Sequence, residues 1–189
     1  MFSPEERSEL RRYYLDRGEI FLGPVDHEHV NEVILDLIQR SRDVERIQLV
    51  IASPGGETDP GFRLAQFIEQ ELSVPVDARV WGECSSASTY PLLCCEKRIA
   101  HPEATFILHR QTAGAEFEYN LDFPSRVKEW KRENEKTHER QVRFYTRKLK
   151  LSKKKVEKEL LRGTGIDAAM SVNKARRIGL VTSIANFNK

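Results

Sequence analysis

Between Glu19 and Leu108 short apolar runs alternate with amphipathic stretches, and this alternation limits the possible folds more than any other feature. Glu19–Leu22 is a short extended segment that ends at Gly23-Pro24. Val30, Val33, Ile34, Leu37 and Ile38 then fall at i, i+3, i+4, i+7 and i+8, one apolar stripe of a helix. Residues 47–52 form an apolar run of strand length that stops at the breaker cluster Ser53-Pro54-Gly55-Gly56. Leu64, Ala65, Ile68 and Leu72 mark the next helix, and residues 76–81 another strand, closed by Gly82. Small residues from Ser85 to Ser88 lead into a helix carrying Leu92 and Leu93, and residues 105–108 form a strand that delivers His109. Strands that alternate with helices predict an α/β fold with a parallel sheet and crossover helices.

The remainder changes character. From residue 122 to about 150 the chain is highly charged, with an intermittent apolar face of Val127, Trp130, Val142 and Tyr145. So thin a stripe predicts a helix that projects from the domain or lies between subunits. Ser152 is an N-cap for a further helix, although Lys155 at its third position departs from the capping box, and Gly163-Thr164-Gly165 ends it. Ser171 caps a last helix over 172–178, stopped by Gly179, before a closing strand over 180–184.

The 189 residues suffice for one domain with an appendage. With 39% hydrophobic and 32% charged residues the chain is globular, and a net charge of +2 gives no global field for nucleic acid or an anionic membrane. Lys153 to Lys155 read as a solvated helix face. The start of the chain lacks an apolar run of leader length, and no stretch approaches a membrane span, so the expected location is the cytoplasm. Cys84, Cys94 and Cys95 have neither zinc-site spacing nor the pattern of a disulfide framework, as expected of packing residues in a reducing compartment. A phosphate-binding Gly-x-x-x-x-Gly-Lys-(Ser/Thr) loop is absent from the sequence, and no cofactor is expected.

Three features fall where chemistry sits in such a fold. Tandem glycines at Gly55-Gly56 let backbone N–H groups face a reacting carbonyl without side-chain obstruction, although such a turn is often purely structural. Residues 82–88, Gly-Glu-Cys-Ser-Ser-Ala-Ser, place serines at a strand-to-helix turn, where a hydroxyl can be a nucleophile or simply a cap. The pattern is not Gly-x-Ser-x-Gly, so the α/β-hydrolase elbow does not apply. His109 follows Phe106-Ile107-Leu108, where an imidazole can act as a general base or serve structure alone.

Together these residues resemble the Clp protease proteolytic-subunit family from about Glu19 to Ile184. Glu19–Leu22 with Gly23 is similar to the first core strand of that family. Ala52-Ser53-Pro54-Gly55-Gly56 resembles its Asn-Ser-Pro-Gly-Gly signature, with alanine in place of asparagine. In the family the nucleophile lies four residues after the glycine opening Gly-x-Ala-Ala-Ser-Met-Gly, which selects Ser86 over Ser85 and Ser88. Ile107-Leu108-His109 resembles the segment that carries the family histidine. Ala169-Met170-Ser171, Ala175 and residues 178–181 resemble its C-terminal pattern, in which the aspartate precedes the first residue by two, at Asp167.

The resemblance implies a ClpP/crotonase-like spiral of β-β-α units with a projecting helical handle at about 110–150. The remaining organisation would be a helical segment over 1–18 and a single peptidase domain over 19–189. It implies a serine endopeptidase with a Ser86, His109 and Asp167 triad. Gly56 and Ala87 would supply oxyanion-hole N–H groups, and Gly55, Gln111 and Thr112 would sit beside an extended peptide substrate. The family is glycine-rich after its histidine, whereas residues 111–119 read Gln-Thr-Ala-Gly-Ala-Glu-Phe-Glu-Tyr, whose alternation supports a strand. The implied assembly is a homo-oligomer, a heptameric ring or a double-ring tetradecamer, that takes peptides or unfolded proteins. Only residues 1–9 precede the family-like segment that starts at Leu10, so the apolar hairpin that engages an AAA+ unfoldase is expected to be absent and coupling to one weak or absent. Three competing readings are a catalytically silent scaffold subunit paired with an active paralogue, a Ser–Lys signal-peptide peptidase relative, and an acyl-CoA enzyme of the crotonase fold. The presence of both His109 and Asp167 counts against the second. The third would not require this triad.

Overall fold

Strand-length apolar runs become a sheet because their backbone polar groups, once buried, must pair with one another. The computed structural model describes residues 3–111, 122–163 and 169–187. The chain divides into two compact units, Met1–Leu108 with Ala169–Lys189, and His109–Ala168.

The first unit opens with helix α1 (Pro4–Leu15), started by a capping box in which Ser3 and Glu6 exchange bonds of 2.7 and 3.2 Å. Strand β1 (Glu19–Leu22) follows, then α2 (His27–Arg40), β2 (Ile47–Ser53), α3 (Thr58–Gln70) and β3 (Val76–Ser85). One 3₁₀ turn (Ser86–Ser88) leads into the short α4 (Thr89–Leu92), β4 (Arg98–Ala100) and β5 (Thr105–Ile107). After the second unit come β6 (Met170–Ser171), α7 (Val172–Arg177) and β7 (Ser183–Ile184).

The sheet runs β1-β2-β3-β4-β7, all parallel. Ile47, Leu49, Val50 and Ile51 of β2 are buried on both faces, which is why that strand is a continuous apolar run. Val30, Val33 and Leu37 of α2 and Phe62, Leu64, Ala65 and Ile68 of α3 supply the helical side of the core. The α/β expectation therefore holds, with the parallel sheet that the alternation required.

One difference matters for the site. The sequence pattern closes the third strand at Gly82, yet β3 continues to Ser85. Gly82 takes φ 64°, a left-handed conformation that glycine enters without steric cost, so it bends the strand instead of ending it. Before the bend Ala78, Arg79 and Val80 pair with β4, and after it Glu83, Cys84 and Ser85 pair with β5. The bend thus moves the serine-bearing end of β3 to a new neighbour. β5 is then flanked on its other side by β6, the one antiparallel pairing among the described residues.

Other boundaries shift for local reasons. The strand expected over 180–184 is only β7, because the Leu180 N–H bonds to Ala175 O at 2.9 Å and closes α7 instead. The expected strand over 105–108 ends at Ile107. β4 has three residues, too few for a period-two pattern to register in the sequence.

The second unit holds α5 (Phe123–Leu149) and α6 (Lys153–Arg162). α5 buries Gln141, Val142, Phe144, Tyr145 and Leu149 and leaves its first half largely exposed. Lys150 stops it at φ 54°. Ser152 sits at the N-cap of α6 without a side-chain capping bond. The strand expected over 111–119 lies outside the described residues except for Gln111; Gly163 caps the end of α6 as expected, and Thr164 and Gly165 lie outside the described residues.

Candidate active site

Two turns of the first unit meet at the carboxyl ends of β2 and β3. After β2, Gly55 and Gly56 adopt φ 92° and 147°, both in the region that disfavours a side chain. The Gly55 N–H donates to Ser53 Oγ at 3.1 Å, so the buried serine fastens its own turn. The Val25 N–H donates to Gly55 O at 2.8 Å, and the Glu57 N–H donates to Val25 O at 2.7 Å. Val25 thereby grips the residues on either side of Gly56 in a parallel bridge, and the Gly56 amide stays out of it. A side chain on Gly56 would run into the Val25 carbonyl.

After β3 the chain enters the 3₁₀ turn through Ser86, whose φ of 55° is left-handed. A non-glycine residue in this conformation is strained by roughly 1–3 kcal/mol and persists only where its surroundings hold it. The neighbouring hydroxyls do so. Ser88 Oγ donates to Ser85 O at 2.7 Å and Thr89 Oγ1 donates to Ser86 O at 2.6 Å. Both carbonyls flanking the strained residue are thus satisfied by side chains of the following turn. Gly61 of α3 lets this turn pack closely, since a Cβ there would lie 2.8 Å from Ala87 O.

The two turns touch through Gly55. A Cβ at that position would fall 2.6 Å from Ser86 Cβ and 3.1 Å from Ala87 N. Glycine is therefore required twice over, for its conformation and for the contact. This packing sets the amides of Gly56 and Ala87 on chain segments that border Ser86.

Of the three serines in the turn, Ser85 and Ser88 are buried and Ser86 is partly accessible. Ser85 Oγ is buried without a hydrogen-bond partner among the described residues. Cys84 is fully buried, and desolvation pushes its thiol up to about 12, so it is no thiolate nucleophile at neutral pH.

His109 belongs to the second unit and is partly accessible. Its Nδ1 lies 2.7 Å from Arg110 O. A carbonyl oxygen only accepts, so Nδ1 carries the hydrogen in this contact and the neutral ring presents its basic lone pair at Nε2. The backbone around His109 is fixed from two helices. The Arg110 N–H donates to Leu160 O of α6 at 3.0 Å. Gln141 of α5, 3% exposed, donates from Nε2 to His109 O at 2.9 Å and accepts the Gln111 N–H at 3.4 Å. Sequence reasoning missed Gln141. The signal was there: a glutamine that shares the helix face of Val142 and Tyr145 is out of place unless both ends of its amide are used.

Of the residues singled out from sequence, Ser86, Ala87, Gly55 and Gly56 come together in the first unit. His109 and Gln111 lie side by side in the second. Asp167 and Thr112 lie outside the described residues. Among the described residues no group of three or more His, Cys, Asp or Glu side chains could hold a metal ion, and no helix is long and apolar enough to cross a membrane.

A parallel α/β sheet that ends in a strained serine beside paired glycines is one framework that can carry acyl-transferring serine chemistry. Comparison with known proteins makes the class specific. The chain belongs to the Clp protease family, whose profile matches residues 5–188, and the general chemistry of that family is that of a serine peptidase. It is 30% identical over 188 residues to the ATP-dependent Clp protease proteolytic subunit 1 of Chlamydia muridarum, covering 95% of this chain and 92% of that protein. It is 24% identical to the proteolytic subunit 2 of Treponema denticola, covering 95% and 87% respectively. Among solved structures, a mutant ClpP1 from Listeria monocytogenes superposes with a TM-score of 0.79 at 21% identity, over 95% of this chain and 97% of that one. The fold is accordingly the ClpP/crotonase-like one.

Proposed function

We propose that this chain is an active serine endopeptidase that cleaves peptides or unfolded proteins inside a ring-shaped homo-oligomer, with Ser86, His109 and Asp167 as its triad. The observation that carries the reading is the strained, partly accessible Ser86 packed against Gly55, next to the amides of Gly56 and Ala87.

In the proposed reaction Ser86 Oγ attacks the scissile carbonyl carbon while His109 Nε2 takes the hydroxyl proton. For the reaction the ring must exchange the Arg110 carbonyl, which takes its Nδ1–H here, for Asp167, whose carboxylate then accepts that N–H and stabilises the imidazolium. The carbonyl oxygen becomes an oxyanion and accepts from the Gly56 and Ala87 N–H groups. His109 then returns the proton to the leaving amine as the C–N bond breaks, which leaves an acyl-Ser86 ester. Water, deprotonated by His109, hydrolyses that ester. The substrate lies extended beside Gly55, Gln111 and Thr112 and adds main-chain hydrogen bonds. ATP hydrolysis, which the names of the curated relatives imply for those proteins, would be the work of a separate unfoldase, because this sequence lacks the phosphate-binding loop.

Hydrolysis of fluorogenic peptides by the assembled protein tests the reading. Ser86→Ala should lower kcat by about 10³-fold or more, because triad members act as a unit. Ser85→Ala should leave the rate within about two-fold, since its hydroxyl is buried and has no hydrogen-bond partner among the described residues. A wild-type particle without turnover would favour the silent-scaffold reading. Loss of activity in Ser85→Ala with retention in Ser86→Ala would move the nucleophile by one residue.

A further inference from the structure

His29 is a buried histidine that the proposed reaction does not use. It is 3% exposed, on α2, beside a cleft of about 100 Å³ lined by Arg7, Ser8, Arg11, Glu28 and Glu32. Its Nε2 accepts the Gly23 N–H at 3.0 Å. Gly23 packs close enough that a Cβ there would lie 3.7 Å from Nε2 and 3.2 Å from the Phe21 ring. The other nitrogen, Nδ1, lies 3.7 Å from Glu32 Oε2. The helix around His29 is set independently, because the Asp26 side chain caps it by accepting the His29 N–H at 2.7 Å.

Gly23 is two residues before Val25, and Val25 is the residue that grips Gly55 and Glu57 on either side of Gly56. Two hydrogen-bonded contacts, joined by the covalent chain through Pro24, therefore connect the imidazole to the glycine turn. The first link exists only while Nε2 has a lone pair. A protonated ring has N–H groups at both positions, and Nε2–H would then point at Gly23 N–H, donor against donor.

Resting on the oxyanion role proposed for Gly56, we infer that neutral His29 is a positioning residue for the glycine turn, and that its protonation releases Gly23-Pro24-Val25 and slows catalysis in acid. The charged groups that face the ring are Asp26 and Glu32 on α2 and Arg7 on α1, with Glu28 and Arg11 at the cleft; β1 offers only the Phe21 ring, 6.4 Å away. Burial lowers the His29 pKa from its ordinary value, and this outweighs the opposing pull of Asp26 and Glu32. A depressed folded-state pKa gives the contribution its sign: it is fully present above about pH 6.5 and is lost as the pH falls through the lower folded value.

The test compares wild type with three variants in the assembled protein. His29→Gln keeps an acceptor but cannot be protonated in this range, His29→Leu removes the acceptor, and His27→Gln removes the exposed histidine that pairs with Glu57 at 3.5 Å. In wild type log kcat/KM should fall in acid through an additional step of about one decade that is absent from His29→Gln. His27→Gln should keep that step. His29→Leu should lose about 10-fold in kcat at neutral pH with KM within about two-fold, a partial form of the loss from an absent oxyanion donor. Hydrogen exchange of the peptides spanning 19–26 and 53–58 should quicken together in acid in wild type but not in His29→Gln. A wild-type acid limb that superposes on that of His29→Gln, or exchange at 53–58 unmoved by His29→Leu, overturns the inference. Labelling of Ser86 by a fluorophosphonate, read in the same samples, separates the two claims. A labelled enzyme with unchanged limb and exchange sinks the His29 role alone, whereas coupled exchange in a protein that takes no label sinks the peptidase reading.

Discussion

At the scale of single residues, the candidate site depends on conformations that only a few side chains tolerate. Ser86 holds a left-handed φ because Ser88 and Thr89 occupy the carbonyls beside it, and Gly55 supplies the empty space in front of it. Gly55→Ala combines a disfavoured backbone with a collision against Ser86 Cβ. It should cost about 2–4 kcal/mol in urea unfolding, at the upper end of ordinary substitutions, and should abolish peptide hydrolysis before it abolishes folding. An alanine variant with wild-type turnover would show that the two turns do not need this contact. Much at this scale was legible in the sequence. Gly55-Gly56 reads as a breaker in the sequence, whereas Ser86 is preferred to Ser85 and Ser88 only by resemblance to the family motif counted from Gly82; of the three, Ser86 is the partly accessible one. What spacing could not reveal was burial. The orphan hydroxyl of Ser85 and the inert thiol of Cys84 become evident only when their neighbours are in place.

At the scale of elements, the informative discrepancy is β3. A glycine after an apolar run reads as a stop, but Gly82 is a bend, and the strand beyond it pairs with β5. Pairing partners are non-local, so no window of local sequence reports them. The same limit hid Gln141. Its amide ties together the backbone of His109 and Gln111, residues about thirty positions earlier. Gln141→Leu keeps the helix and its volume but removes the side-chain amide that bonds the Gln111 N–H and the His109 carbonyl, at about 1–3 kcal/mol. Turnover should fall by about 10-fold while labelling of Ser86 by a small electrophile at saturating time stays complete. A variant with unchanged kcat would show that α5 does not position the histidine segment. The helices themselves were legible, because periods of 3.6 survive in α2, α3 and α5. The two-residue β6 was not, because two residues carry no period, and the expected closing strand over 180–184 is longer than the β7 it contains.

At the scale of the whole molecule, the family and fold are established and the assembly is the proposed part. The solvent-facing side of α5 carries ion pairs along its length: Glu129 with Arg132 at 3.6 Å and Glu133 with Lys136 at 2.8 Å in the exposed first half, and Glu139 with Arg143 at 3.5 Å in the second. The large exposed apolar side chains among the described residues, Tyr13, Leu15, Leu35, Ile38 and Leu161, all lie off α5. A contact between rings through this helix would therefore be ionic and open to screening, since the Debye length shrinks to about 3 Å at 1 M salt. Light scattering should find the molar mass falling by about half between low and high salt if two rings meet there. A mass that rises or holds across the series would contradict an ionic contact through α5.

The most direct measurement is to treat the native assembled protein with a fluorophosphonate probe and map the modified peptide by mass spectrometry. The account predicts a single adduct on Ser86, lost in Ser86→Ala and kept in Ser85→Ala. An assembled particle that takes no label at Ser86, or takes it on another serine, would contradict the claim on which the proposed function stands.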